Sequence, residues 1–150
     1  MNKKTFFKNA IFTMVLSFTM TFSAQTSPSD FWQSFETITA ISELQENYPN
    51  ASPGETIKFV LMKHGIEIPS QENYAFQSKI AVDVLDKSTI LDLSISEFFI
   101  IHEAKFMENQ AYFEVLFYYN FSGNYLYYKT AKVNLSKMNG NWSITNSIVE

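Results

Sequence analysis

From Ser29 to Tyr48 the apolar residues Phe31, Phe35, Ile38, Ile41, Leu44 and Tyr48 return every three or four positions, with Asp30, Glu36, Glu43 and Glu46 among the polar residues between them. That period predicts an amphipathic helix with one stripe on a core, stopped by Pro49. A second helix is expected next. Ser52 stands as N-cap, Pro53 at the first helical position, Glu55 as the acid of a capping box, and Gly65 as the stop. His64 falls in its last turn, where an imidazolium interacts favourably with the helix dipole; a lone histidine there reads as structural.

After Gly65 the period shortens to two. Tyr74, Phe76, Ile80, Val82 and Val84 alternate with polar residues and predict a strand, although Ile80, Val84 and Leu85 would also suit a short helix. A turn over Asp86 to Thr89 leads to Leu91, Leu93 and Ile95, a second strand. Three further turns then divide the C-terminal part into four strands, Phe98 to Glu108, Ala111 to Phe121, Tyr125 to Met138 and Trp142 to Val149. Asn139-Gly140 is the clearest hairpin signal, because a type I′ turn needs positive φ at both positions. Closing it sets Leu135 opposite Ile144, Val133 opposite Asn146 and Ala131 opposite Ile148.

A two-residue loop at Asn109-Gln110 would set Phe106 opposite Phe113, Ala104 opposite Val115, His102 opposite Phe117 and Ile100 opposite Tyr119, with Lys105 across from Glu114 on the reverse face. The Ser122-Gly123-Asn124 connection has to be odd in length or bulged to keep Phe117 with Ala131 and Val115 with Val133. One face of the sheet is then apolar: Phe98, Ile100, Phe106, Phe113, Val115, Phe117, Tyr119, Phe121, Tyr127, Val133, Leu135, Trp142, Ile144 and Ile148. The helices are expected to cover it. The other face mixes Phe99, Ile101, Tyr112, Leu116, Tyr118, Leu126 and Tyr128 with charged and amide residues. That aromatic content is more than a wetted face needs, and it leaves a homodimer through the outer face, a partner protein or a crowded surface as readings.

Helices first and a long antiparallel meander afterwards, ending in Asn139-Gly-Asn-Trp-Ser-Ile144, resembles the nuclear transport factor 2-like superfamily, a cystatin-like, cone-shaped α+β fold. The resemblance covers about Ser29 to Val149 and departs from the pattern in lacking a clear third helix before the meander. It implies N-terminal amphipathic helices packed on a curved antiparallel sheet. Members include isomerases, epoxide hydrolases, dehydratases, carrier and adaptor domains and many secreted proteins with no known activity. The enzymes among them hold a carboxylate base with tyrosine or acid partners in the cavity between helices and sheet.

Composition narrows these readings. An apolar fraction of 46% and a charged fraction of 17% exclude a disordered or fibrous chain. The absence of cysteine excludes disulfide scaffolds, thiolate metal sites and cysteine nucleophiles. Lys3, Lys4 and Lys8, the apolar stretch Ala10 to Phe22 and the small exit Ser23-Ala24-Gln25 have the layout of a secretory signal, with cleavage after Ala24 or Ser23. An apolar stretch diluted by Thr13, Ser17, Thr19 and Thr21 is too short for a stable membrane anchor. Residues 1–24 are therefore expected to direct export to the periplasm or the extracellular space, and 25–150 to form one α+β domain. Loss of three lysines leaves 8 Lys against 15 Asp and Glu, an acidic chain without arginine; nucleic acid is excluded as a partner.

Candidate chemistry is sparse. The inner face carries no Asp or Glu except Glu108 at a turn, so the carboxylate of the family's enzymes is missing. The candidate pocket is lined by His102, Phe117, Tyr119, Tyr127, Trp142 and Asn146, with Lys129 among its polar members. His102 is either a general base on the pocket floor or a neutral core histidine with one hydrogen bond. His64 and His102 do not converge as metal ligands, and no cofactor is implied. Asn120, Asn134 and Asn141 each begin a glycosylation sequon, which chance explains in a chain rich in Asn, Ser and Thr. Two functions remain: a secreted, non-enzymatic binding or interaction domain with a small apolar ligand between helices and sheet, and a metal-free isomerase, dehydratase or hydrolase centred on His102.

Overall fold

The computed structural model describes residues 26–122 and 125–150. The expected export segment and the middle of the Ser122-Gly123-Asn124 connection lie outside the described residues. The architecture is α+β, with a six-stranded mixed sheet and few helices.

The first helix, α1 (Pro28–Thr39), starts where Ser27 Oγ accepts a hydrogen bond from the Asp30 N–H at 3.1 Å and Pro28 takes the first helical position. It is shorter than the expected Ser29–Tyr48 helix. Thr37 Oγ1 donates to the Gln33 carbonyl at 2.8 Å and Thr39 Oγ1 to the Glu36 carbonyl at 2.7 Å, contacts that weaken a helix already burdened by β-branched residues. Ala40 and Ile41 break the helix, and only one turn resumes, α2 (Ser42–Gln45).

The second expected helix does not form. Its local signal is partly obeyed, since the Ser52 N–H donates to Glu55 Oε2 at 3.1 Å and the Glu55 N–H to the Ser52 carbonyl at 3.0 Å. Gly54 at φ +93° then turns the chain out of helical space, and β1 (Ile57–Met62) follows. Both faces of β1 are covered: Phe59 and Leu61 join the main core, and Val60 and Met62 pack on the opposite side. A continuous apolar run of this kind suits a parallel strand better than an amphipathic helix.

The next strand, β2 (Ile80–Leu85), is shorter than expected, because Tyr74 and Phe76 belong to the loop before it. The expected strand over Leu91–Ile95 is replaced by a short helix, α3 (Lys87–Asp92), which buries Ile90. Leu91 and Leu93 remain exposed, so their alternation carried no strand.

Four strands complete the sheet: β3 (Phe98–Met107), β4 (Gln110–Ser122), β5 (Tyr125–Met138) and β6 (Asn141–Val149). The spatial order is β2-β1-β3-β4-β5-β6. β1 lies parallel to β2 and to β3, and the remaining pairs are antiparallel, so the sheet is mixed rather than antiparallel throughout.

Register differs from the expected one in all three antiparallel pairs, and in two of them a bulge changes the parity of the faces. The β3–β4 turn is Glu108-Asn109, with Met107 opposite Gln110, Phe106 opposite Ala111 and Ala104 opposite Phe113. A bulge then leaves His102 unpaired between Ile101–Val115 and Glu103–Glu114. Above it the faces exchange, so Phe99 and Ile101 enter the main core while Phe98 and Ile100 turn to the α3 side. Lys105 faces Tyr112 instead of Glu114, and Glu114 stands between Glu103 and Lys132. In β4–β5 the odd-to-odd pairing sits two residues along, with Phe117 opposite Lys129 and Val115 opposite Ala131. The ladder shifts again between Tyr119 and Ser122. In β5–β6, Leu135 faces Ile144, but a bulge at Thr145 then sets Val133 opposite Ser147 and Ala131 opposite Val149. Val149 consequently packs on the core and Ile148 is exposed. Asn139 and Gly140 have φ +51° and +81°, the two positive values a type I′ turn requires.

The core lies between α1 and the sheet. Trp32, Phe35, Phe99, Phe113 and Phe117 are among its largest fully buried side chains, and each contributes roughly 1.5 to 3 kcal/mol through burial. Their rings meet mostly edge to face, with Phe35 on Phe99 at 5.5 Å, while Phe99 and Phe117 stack at 4.5 Å. A smaller cluster of Met62, Ile90, Phe98 and Ile100 sits under α3 on the other face.

Candidate functional site

α1 is attached to the rest of the chain by two carboxylates, one near each end. Near its start, Asp30 Oδ1 accepts from Lys137 Nζ at 2.6 Å and from Trp142 Nε1 at 2.9 Å. Lys137 stands opposite Trp142 in the ladder, and its ammonium lies 5.8 Å from the indole centroid. Burial by itself would raise the Asp30 carboxyl; the hydrogen bonds from Lys137 and Trp142 and the Lys137 charge outweigh it and hold the group below its ordinary value.

Towards the other end, Glu36 accepts three hydrogen bonds from the loop before β2. The Ser78 N–H and hydroxyl both reach Oε1, and the Tyr74 hydroxyl reaches Oε2 at 2.8 Å. Burial, reinforced by the neighbouring Glu36 charge, pushes the Tyr74 phenol up, so it stays a neutral donor. The same loop is tied by Trp32 Nε1, which donates to the Ser70 carbonyl at 3.1 Å, and by Gln71 Nε2, which donates to the Val82 carbonyl at 2.9 Å. Sequence reasoning passed over Glu36 as one polar residue among apolar ones. Its signal was position: four residues after the buried Trp32, a carboxylate shares a face with the core and needs donors.

Beside these attachments runs an open groove of about 720 Å³. Ile57, Phe59, Ile80 and Tyr48 supply apolar lining; Gln33, Thr37, Gln45, Gln77 and Asn141 supply amides and hydroxyls; Glu36, Glu55 and Lys79 supply charge. Gln33 Nε2 donates to Asn141 Oδ1 at 3.3 Å, linking α1 to the β5–β6 turn. Tyr48 packs edge to face on Phe59 at 4.8 Å and on Phe117 at 5.1 Å, its buried hydroxyl has no hydrogen-bond partner among the described residues, and burial raises its pKa.

The six residues of the expected pocket do not share a cavity. Phe117 is in the core and Trp142 is buried between Phe106 and Lys137 at the edge of the groove. Tyr119 and Tyr127 stack on each other at 6.1 Å, at the far end of β4 and β5, and Tyr127 is 56% exposed. His102, the bulge residue, and Asn146 are exposed. The polar groups that were to converge are thus separated by the bulges in β3 and β6, and the space between α1 and the sheet is filled by aromatic rings. Lys129 is also committed, donating to the Glu43 carbonyl at 2.7 Å and approaching Glu46 at 3.6 Å.

Among the described residues no group of three or more His, Asp or Glu side chains is arranged to hold a metal ion, and no helix is long and apolar enough to cross a membrane. No protein-family model, curated protein or solved structure matches the chain.

Proposed function

We propose that the chain is a non-enzymatic binding domain whose ligand site is the groove beside α1. The observation that carries this reading is the groove's lining. At about 720 Å³ it is within the range of small-molecule sites, and an apolar base of Ile57, Phe59, Ile80 and Tyr48 lies under a rim of amide and hydroxyl groups. Burying a small apolar ligand there would provide the driving force, and Gln33, Gln45, Gln77 and Asn141 would orient it. Glu36 and Asp30 act as anchors of the walls, Glu36 accepting from Ser78 and Tyr74 and Asp30 Oδ1 from Lys137 and Trp142.

The same reading includes a nuclear transport factor 2-like frame, supported by a helix laid over one face of a sheet whose last four strands follow one another in space. It also includes export, supported by the order of charge and apolarity from Lys3 to Ala24.

Native mass spectrometry of the protein purified from its own cells tests the site. A retained small molecule is expected, and Ala40→Trp, at an exposed position lining the groove, should fill the space and abolish retention without disturbing the core. A ligand retained equally by the Ala40→Trp variant would place binding elsewhere.

A further inference from the structure

The charges that line the groove beside α1 do not balance. Glu36, half-buried on α1, accepts only from neutral donors, the Ser78 N–H and hydroxyl and the Tyr74 phenol. Glu55, exposed just before β1, accepts from the Ser52 N–H through Oε2. Neither carboxylate forms an ion pair among the described residues. Lys79 is the single cationic side chain of the lining, and its ammonium donates to the Gly54 carbonyl at 3.2 Å. Thr37, Thr39 and Ala40 bring the C-terminal end of α1 to the same groove, and the last turn of that helix holds no basic residue to offset the negative end of its dipole. The net field in the groove is negative.

The hydrogen-bonding groups lean the same way. Donors of the lining are used within the protein: Thr37 Oγ1 donates to the Gln33 carbonyl, Thr39 Oγ1 to the Glu36 carbonyl, Ser78 Oγ to the Glu36 carboxylate and Trp142 Nε1 to Asp30. Acceptors are left over. Gln33 donates through Nε2 to Asn141, and its Oε1 meets no donor among the described residues; Glu55 Oε1 is open in the same way. The amides of Gln45 and Gln77 offer both donor and acceptor and do not discriminate. We propose that the groove takes an organic amine, with an apolar body on Ile57, Phe59 and Ile80 and one ammonium group held toward Glu36 and Glu55. This rests on the groove being a ligand site and adds the charge of its ligand. An ammonium is cationic and only donates, which answers both imbalances at once, and the aromatic rings of the base present π faces that attract a cation. A carboxylate ligand would meet one lysine and be opposed by two carboxylates and a helix C-terminus. A neutral ligand would gain nothing from the field.

Equilibrium dialysis of the protein expressed from the full sequence tests the charge with three probes that share one apolar body: phenylbutylamine, phenylbutanol and phenylbutyrate, at neutral pH. The amine is expected to bind about three- to fivefold tighter than the alcohol, and the carboxylate more weakly than either. Added salt should narrow this spread, because exposed charges are screened. Glu55→Gln, which keeps an oxygen for the Ser52 N–H, should lower the amine-to-alcohol affinity ratio about twofold, and Lys79→Gln should raise it by about as much. Equal affinities, a carboxylate bound tightest, or a ratio that neither variant moves would overturn the amine assignment while leaving the groove as a ligand site. An amine preference that survives Ala40→Trp would overturn it by placing the binding elsewhere. If none of the three probes binds, the reading of the groove as a ligand site fails, and the amine assignment fails with it.

Discussion

The two faces of the sheet are packed on different scales. On one side α1 lays Phe31, Trp32, Phe35 and Ile38 on a core that takes in residues of all six strands, from Phe59 to Trp142. On the other, α3 is half the length of α1 and contributes one buried residue, Ile90, to a cluster of four. A sheet needs cover only where its side chains are apolar. The outer rows beyond Ile100 change to Glu103, Glu114, Lys132 and Asn134, which water accommodates. The lesson is in β3. Its four consecutive apolar residues, Phe98 to Ile101, serve both faces, two each, and the His102 bulge lets the strand switch to one-sided burial through Ala104 and Phe106.

Substitutions on the two faces should differ in size if this contrast is right. Phe99→Ala removes a fully buried ring that contacts Phe35, Tyr48, Phe59 and Phe117, and is expected to lower unfolding free energy by about 3 to 5 kcal/mol in urea titration. Ile90→Ala, on the smaller cluster, should cost about 2 kcal/mol, the low end for such truncations, because a rim site collapses more easily. Equal losses would show that α3 is as much a part of the core as α1.

Asp30→Asn separates packing from charge on the α1 side. It should cost about 1.5 kcal/mol at neutral pH by weakening the hydrogen bonds from Lys137 and Trp142. The folded carboxyl titrates below its ordinary value of 3.8, so its contribution is fully present above that pH and disappears as pH falls through the folded value. Thermal melts of wild type and variant should therefore converge under acid, and a difference that persists there would assign the effect to packing. The smallest effect is expected at the bulge: His102→Gln should change stability by less than about 0.5 kcal/mol and leave retention of a groove ligand unaltered.

Legibility along the chain followed the range of the forces involved. The odd-numbered side chains Phe113, Val115, Phe117, Val133 and Leu135 are buried together, as alternation within β4 and β5 implied. Alternation failed at Leu91 to Ile95, where six residues from Lys87 form a helical turn instead. His102 and Asn146 came to lie away from Phe117 and Trp142 for a reason no local pattern could reveal, since a bulge is one extra residue whose position is chosen by what lies on either face of the strand. Glu36 went unrecognised because its donors, Tyr74 and Ser78, are 38 and 42 residues away.

By itself the sequence determined what acts within a few residues: the Asn139-Gly140 turn, whose backbone conformation only such residues adopt readily, the reciprocal contact of Ser52 with Glu55, and the absence of thiol chemistry. Tertiary structure alone decided that Ile57–Met62 is a strand, that β1 runs parallel to its neighbours, and that His102 faces water. The capping signal at Ser52 and Glu55 is worth about 1 kcal/mol. Burying both faces of the apolar run from Phe59 to Met62 is worth several times that, and so the longer-range term prevailed.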